Sequence, residues 1–216
     1  MRRYFFLLLA GIIIGLALND FSSNDTSFEL PILTPADIDP DLVDTAMVNM
    51  DEPHKIPDFQ FWDQEGRIIT AKSFDEKIYV ADFFFTSCAG ICPVLTKHMI
   101  KVQEAFANDS LVKIISHTVH PEKDSVAVLK EYGLLHGINS DKWHLLTGKK
   151  KDLYGIARKG YFAISKLEEN MDNAFIHTEN FILVDQDRHI RGIYNGTNSF
   201  EVIRLIEDIR LLRSLP

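Results

Sequence analysis

The chain has 216 residues, of which 46% are hydrophobic and 25% charged, with two cysteines and a net charge of −8. This composition excludes a disordered chain, a collagen-like repeat, a disulfide-dense mini-protein and a multi-pass membrane protein. The charge also argues against nucleic acid as a partner. Binding phosphates needs a basic surface, and the basic run at residues 149–151 is only three residues long.

The N-terminus has the pattern of a membrane-targeting segment. Arg2 and Arg3 precede an uncharged, mostly apolar run over residues 4–18, and this order sends the rest of a chain across a membrane. As a helix the run would span about 22 Å, less than the roughly 30 Å hydrocarbon layer. We predict that residues 1–20 form an uncleaved single-pass anchor in a bacterial cell membrane. A cleaved signal segment is the alternative. The C-terminal domain is then expected in the periplasm or elsewhere outside the cytoplasm.

Residues 21–52 are polar and contain prolines, which is typical of a flexible tether, with at most a short helix around residues 43–48. Strand and helix patterns then alternate over residues 53–216. We predict, in order, strands 56–63 and 67–70, strand 77–85, helix 93–106, strand 111–119, helix 124–135 with Asp124 as N-cap, strand 143–146, helix 149–158, hairpin 181–184 and 189–194, and helix 200–215. This order predicts an α/β domain of thioredoxin-like plan, with a central mixed β-sheet flanked by helices.

The two cysteines stand between a predicted buried strand and the helix that follows it. Cys88 lies in the turn and Cys92 in the first helical turn, where backbone N–H groups and the helix dipole favour thiolates. Such a pair can close a disulfide or bind a soft metal. Two cysteines exclude a Cys₄ zinc site, whereas two thiolates and an imidazole suit copper(I). A purely structural disulfide remains the alternative.

Three segments resemble the SCO/SenC family of copper-binding assembly proteins: FFFTSCAGICP, HTVHPEKDSVAVLKEY and FIHTENFILVD. The resemblance covers about residues 53–215. It implies a thioredoxin-like fold that binds a copper ion through Cys88, Cys92 and the distant His177. It also implies a role in maturing the copper centre of cytochrome c oxidase. His120 stands where the family has Asp, and Ile176 where it usually has the Asp before the histidine.

Other polar residues in the predicted elements have less specific patterns. Asp82 interrupts the apolar central strand. A buried carboxylate there would either transfer protons near the thiols or make a structural hydrogen bond. His120 follows the second buried strand at the edge that presents Cys88, and we interpret it as a packed or solvated side chain in preference to a ligand. His98 is predicted to point away from Cys92 on the helix.

The leading hypothesis is a membrane-tethered, extracytoplasmic copper chaperone. Its partners would be the copper-bearing subunit of cytochrome c oxidase or other copper and thiol proteins. Both thiols must be reduced to bind the metal, so copper loading and disulfide formation exclude each other. The alternative is a thiol-disulfide oxidoreductase in which Cys88 attacks and Cys92 resolves, without any need for His177. A peroxidase and a non-catalytic interaction module with a structural disulfide are weaker alternatives, and the sequence alone does not establish an enzyme.

Overall fold

The computed structural model describes residues 29–43, 47–163 and 178–214. A short antiparallel hairpin comes first, in which β1 (Gln60–Trp62) pairs with β2 (Ile68–Thr70). The first strand is shorter than the predicted 56–63. The Ile56 N–H donates to the Arg188 carbonyl at 2.9 Å, so this segment pairs with another part of the chain before β1 begins.

The central sheet has five strands in the order β5-β4-β3-β6-β7. They are β3 (Ile78–Phe84), β4 (Val112–Thr118), β5 (Trp143–Leu146), β6 (Asn180–Val184) and β7 (Ile190–Asn195). β3, β4 and β5 run parallel, whereas β6 is antiparallel to both β3 and β7. All of β3 is buried, as its continuous apolar sequence predicts for a strand covered on both faces. The predicted mixed sheet is confirmed.

Helices cover both faces of this sheet. They are α1 (Cys92–Ala105), α2 (Val126–His136), α3 (Lys150–Lys159) and α4 (Ser199–Ser214). One hydrophobic cluster contains Leu95 of α1, Leu129 of α2 and Leu205 of α4. The cluster on the other face contains Leu153 and Ile156 of α3, together with buried residues of β1 and β2. The predicted α/β, thioredoxin-like arrangement is confirmed for the described domain.

The start of α2 differs from the prediction. Ser125 is the N-cap, and its side chain accepts a hydrogen bond from the Val128 N–H at 3.4 Å. The prediction of Asp124 as N-cap is therefore wrong. Asp124 is fully buried, and its carboxylate accepts hydrogen bonds from Thr86 and Thr118 instead. These donors occupy the carboxylate, so the neighbouring serine caps the helix.

Part of the segment expected as a tether contacts the domain. Leu30, Ile38 and Val43 are buried, and the Leu33 N–H donates to the Ile190 carbonyl of β7 at 2.8 Å. Pro35–Asp37 form one turn of 3-10 helix. Residues 44–46, within the short helix expected around residues 43–48, lie outside the described residues.

The predicted anchor at residues 1–20 also lies outside the described residues. Within the three described ranges, no helix is both long enough and apolar enough to cross a membrane.

Candidate metal centre

The cysteine pair lies where the chain passes from the central strand to the first helix. Cys88 is in the segment between β3 and α1, and Cys92 is the first residue of α1. The Cys88 N–H donates to the Phe85 carbonyl at 3.2 Å, which closes a turn just beyond β3. Parallel strands β3 and β4 end at this edge of the sheet, the edge where α/β proteins commonly bind ligands. The topology therefore places two sulfur atoms at the edge of the sheet where such folds bind ligands.

The two thiols have different environments. Both cysteines are free thiols, Cys88 half-buried and Cys92 buried. Burial opposes ionisation of Cys88, but the Cys92 thiol and the backbone N–H groups of Cys92, Gly90 and Ile91 donate to its sulfur and lower its pKa overall. Burial raises the pKa of Cys92 to about 12, and the hydrogen bond with Cys88 adds to this rise. Cys88 is thus the accessible nucleophile and Cys92 the buried, protonated partner.

A buried polar chain lies on the same face of the sheet as Cys92. The Trp143 indole N–H donates to the Ser116 hydroxyl at 2.7 Å, and Ser116 donates to the Asp82 carboxylate. Burial raises the pKa of Asp82 to about 7, against the opposing effect of the Ser116 hydrogen bond. The Asp82 charge in turn contributes to the raised pKa of Cys92. Asp82 is therefore both hydrogen-bonded and electrostatically linked to the thiols, and its role in proton transfer stays a prediction.

The turn that carries Cys88 is tied to the loop after β4. Thr86 donates through its hydroxyl to Asp124 Oδ1 at 2.5 Å and through its N–H to Oδ2 at 3.2 Å. The Thr118 hydroxyl donates to the same carboxylate. The sequence does not predict this contact, because Asp124 precedes a helix and has the local pattern of a helix cap. The signal was present in two of the segments that carry the family resemblance, which contain Thr86 and Asp124.

His177, the third predicted ligand, lies outside the described residues. β6 is antiparallel to β3, with Ala81 in register with Ile182. Asn180, the first residue of β6, therefore lies at the same end of the sheet as the cysteine turn. Within the described part of the chain, no group of three or more His, Cys, Asp or Glu side chains is arranged to hold a metal ion. The approach of His177 to the sulfur atoms stays a prediction.

The other histidines differ in their surroundings. His98 is buried, and its Nδ1 lies 2.7 Å from the Gly196 carbonyl, so this nitrogen is occupied away from the cysteines. His120 is half-buried, with its ring centroid 6.3 Å from that of Phe85 at the cysteine edge. His117 is fully buried, and neither ring nitrogen makes a hydrogen bond of normal geometry among the described residues, although the nearby Asp82 backbone partly offsets the effect of burial on its pKa.

The residues on either side of Cys88 in the chain, 86–94, carry no charge. Residues 89–91 and Pro93 are exposed, and Ile91 and Val94 are 38% and 42% exposed. Apolar side chains beside a half-buried sulfur provide a contact surface on which another protein can place a cysteine or a metal ligand. The arrangement suits exchange between proteins better than a closed small-molecule site.

A helix-flanked mixed sheet with paired cysteines at the turn after its central strand defines a thioredoxin-like dithiol protein. The profile of the SCO1/SenC family matches residues 48–212. The chain belongs to this family.

Individual relatives agree with this assignment. The SCO1 protein homolog of Bacillus subtilis is 32% identical over 164 residues, which cover 75% of this chain and 84% of that protein. The structure of BsSco, a member of the Sco family of cytochrome c oxidase assembly proteins in which a disulfide switch was identified, is similar with a TM-score of 0.65. It shares 31% identity and covers 76% of this chain and 96% of its own. Copper-bound ScoI of Bradyrhizobium japonicum, at 24% identity, shares the fold with a TM-score of 0.56 over 74% of this chain and 98% of that one.

Proposed function

We propose that this chain binds copper through Cys88 and Cys92, with His177 as the third ligand, and delivers it to the copper-bearing subunit of cytochrome c oxidase. The observation that carries the proposal is the hydrogen-bonded pair of free thiols at the edge of the sheet where β3 and β4 end. Thiolates are the ligands that copper(I) prefers. Family membership and the copper-bound relative support the same cargo.

The different environments of the thiols fit reversible loading. The lowered pKa of Cys88 makes its thiolate easier to form than that of an ordinary cysteine, whereas the buried Cys92 must lose a tightly held proton when a cation binds. A partner thiolate or imidazole can then replace one ligand while the others hold the ion. Because a disulfide between the same sulfurs removes both ligands, the redox state of the pair decides whether copper is bound.

Copper titration of the reduced full-length chain, purified in detergent, tests the proposal. We expect about one copper(I) per chain, at least a hundredfold weaker binding in Cys88→Ser and Cys92→Ser, and about 10–100-fold weaker binding in His177→Ala. His136→Ala is the matched control, because that half-buried imidazole packs on Tyr132 with ring centroids 4.2 Å apart. Unchanged affinity in both cysteine variants would exclude copper binding at this site.

A second candidate function is thiol-disulfide exchange with a partner protein. The unequal thiols favour it, since an accessible nucleophile beside a buried resolving cysteine is what exchange requires. The discriminating variant is His177→Ala in cells that depend on the protein for oxidase assembly. Full assembly with His177→Ala, together with none in either cysteine variant, supports the reductase. Loss of assembly in all three supports copper delivery.

The N-terminal sequence supports a bacterial membrane location, with the domain in the periplasm or otherwise outside the cytoplasm. The test compares the full chain with a chain that lacks residues 1–20. We expect the full chain in the membrane fraction after a high-salt wash and its domain open to protease added to spheroplasts. Protection from that protease in intact spheroplasts, with digestion after lysis, would place the domain in the cytoplasm.

A further inference from the structure

We propose that Asp124 is a positioning residue for the dithiol: its carboxylate holds Thr86 and thereby fixes the turn that presents Cys88. The inference rests on the proposed role of Cys88 and Cys92 as the reactive pair. It assigns the reactivity of that pair partly to a residue on a different loop.

Asp124 contacts Thr86 with both carboxylate oxygens. The Thr86 hydroxyl donates to Oδ1 at 2.5 Å and the Thr86 N–H donates to Oδ2 at 3.2 Å. Two donors from one residue on the two oxygens of one carboxylate restrict both the position and the rotation of that residue. Asp124 is fully buried, so water does not compete for these bonds, and a buried carboxylate needs such donors.

The carboxylate is itself fixed to the sheet. Thr118, the last residue of β4, donates its hydroxyl to Asp124 and accepts the His120 N–H at 3.0 Å. The Asp124 N–H donates to the His120 carbonyl at 2.9 Å. Thr118 is in register with Phe84, the last residue of β3. The contact thus joins the ends of two neighbouring strands through one side chain, and Ser125 leaves that side chain available by capping α2.

The restraint acts two residues before the reactive sulfur. Thr86 lies inside the turn closed by the Cys88 N–H and the Phe85 carbonyl. Beyond that turn, the N–H groups of Gly90 and Ile91 donate to the Cys88 sulfur. If Thr86 is released, the sulfur moves relative to these donors, and the thiolate loses stabilisation. The expected result is a slower nucleophile and a dithiol that is oxidised more readily.

The test compares Thr86 with a buried hydroxyl far from the cysteine turn. Thr86→Val removes the donor to Asp124, and Tyr79→Phe removes the buried hydroxyl contact with Tyr161, 3.3 Å long, near the start of β3. Alkylation of Cys88 by iodoacetamide at pH 7 is followed by peptide mass spectrometry on the full chain. We expect Thr86→Val to slow alkylation about fivefold and to shift the dithiol–disulfide equilibrium toward disulfide by up to about fivefold, or about 20 mV. Thr86→Ser should restore both values to within about twofold, and Tyr79→Phe should change them by less than about twofold.

Urea denaturation of each variant separates positioning from stability. If Thr86→Val and Tyr79→Phe both lower the denaturation midpoint but only Thr86→Val changes the thiol, the proposal is supported. Equal thiol effects in both variants, or no thiol effect in a folded Thr86→Val, would overturn it. If Thr86→Val does not fold, Asp124→Asn takes its place: an intermediate loss of alkylation rate supports the proposal and a wild-type rate overturns it. None of these readouts involves copper. They therefore test the positioning role of Asp124 independently of whether the wild-type chain binds copper.

Discussion

Arg191 donates to Asp185 at 3.0 Å, and both side chains are nearly inaccessible to solvent. The same guanidinium donates to the carbonyls of Leu30 and Pro31. The buried guanidinium of Arg191, which extends from β7, therefore holds residues 30–31 against the domain.

Arg191→Met should lower the free energy of unfolding by about 3–5 kcal/mol, because it leaves the Asp185 carboxylate buried without its cation. Urea denaturation measures the change, and limited proteolysis should give new cleavage between residues 29 and 43. Arg204→Met is the control, since the Arg204–Glu201 pair is exposed and should contribute less than about 1 kcal/mol. Equal effects of the two substitutions would contradict the structural role given to Arg191.

His117 should make the domain sensitive to acid. Its ring lies among those of Phe59, Phe61 and Phe83 at centroid distances of 6.0, 5.6 and 5.2 Å. Burial lowers the pKa of His117 to about 3, from an ordinary value of 6.5. The folded state therefore keeps the ring neutral, and its stability falls as pH drops below about 6.5, by roughly 2 kcal/mol at pH 5.

His117→Phe removes this dependence. Between pH 7 and pH 5 the variant should lose about 2 kcal/mol less stability than the wild type. Urea denaturation at both pH values measures the difference, and any overpacking by the phenyl ring cancels because it is the same at each pH. Parallel loss of stability in the two proteins would mean that His117 does not stay neutral in the fold.

Asp82 should have the opposite dependence. Its pKa is raised from 3.8 to about 7 by burial, so the folded state favours the protonated acid. The stability that this group contributes at low pH is lost as pH rises from about 4 through 7. Between pH 5 and pH 8, the free energy of unfolding of the wild type should therefore fall by about 2–3 kcal/mol more than that of Asp82→Asn. Urea denaturation at both pH values measures the difference. The asparagine oxygen still accepts from Ser116, so the variant keeps this hydrogen bond. A stability difference between the two proteins that does not change with pH would refute the proposed titration.

The two cysteines should react at very different rates in the folded, reduced protein. Cys88 has a lowered pKa and is half-buried, whereas the pKa of the buried Cys92 is raised to about 12. Iodoacetamide at pH 7 should modify Cys88 at least about a hundredfold faster than Cys92. In guanidinium chloride the two rates should converge, and similar rates in the native protein would contradict the assigned roles.

Much of the sheet is predictable from local sequence, because a strand buried on both faces leaves a continuous apolar run. β5 matches the predicted residues 143–146, and β3 differs by one residue at each end. The cysteine turn follows from its position between a buried strand and a helical pattern. Local patterns describe neighbours in the chain, and this turn is formed by neighbours.

Contacts between distant residues are not predictable in the same way. Asp124 has the local pattern of a helix cap, yet its partner Thr86 lies 38 residues away. The apolar residues Leu30, Ile38 and Val43 are too widely spaced to form a helical or strand pattern, yet all are buried. The predicted ligation by His177 depends on a contact of the same long-range kind, for which local sequence offers only the family resemblance.

The site where residues 30–33 join the domain has a consequence for access to the thiols. These residues contact β7 at Ile190 and Arg191, whereas the cysteine turn lies at the other end of the sheet, near Asn180 and Asn195. The five residues of β6 separate the two ends by about 17 Å. The Cys88 sulfur therefore lies at the end of the sheet opposite residues 30–33, and a protein that approaches the thiols need not displace those residues.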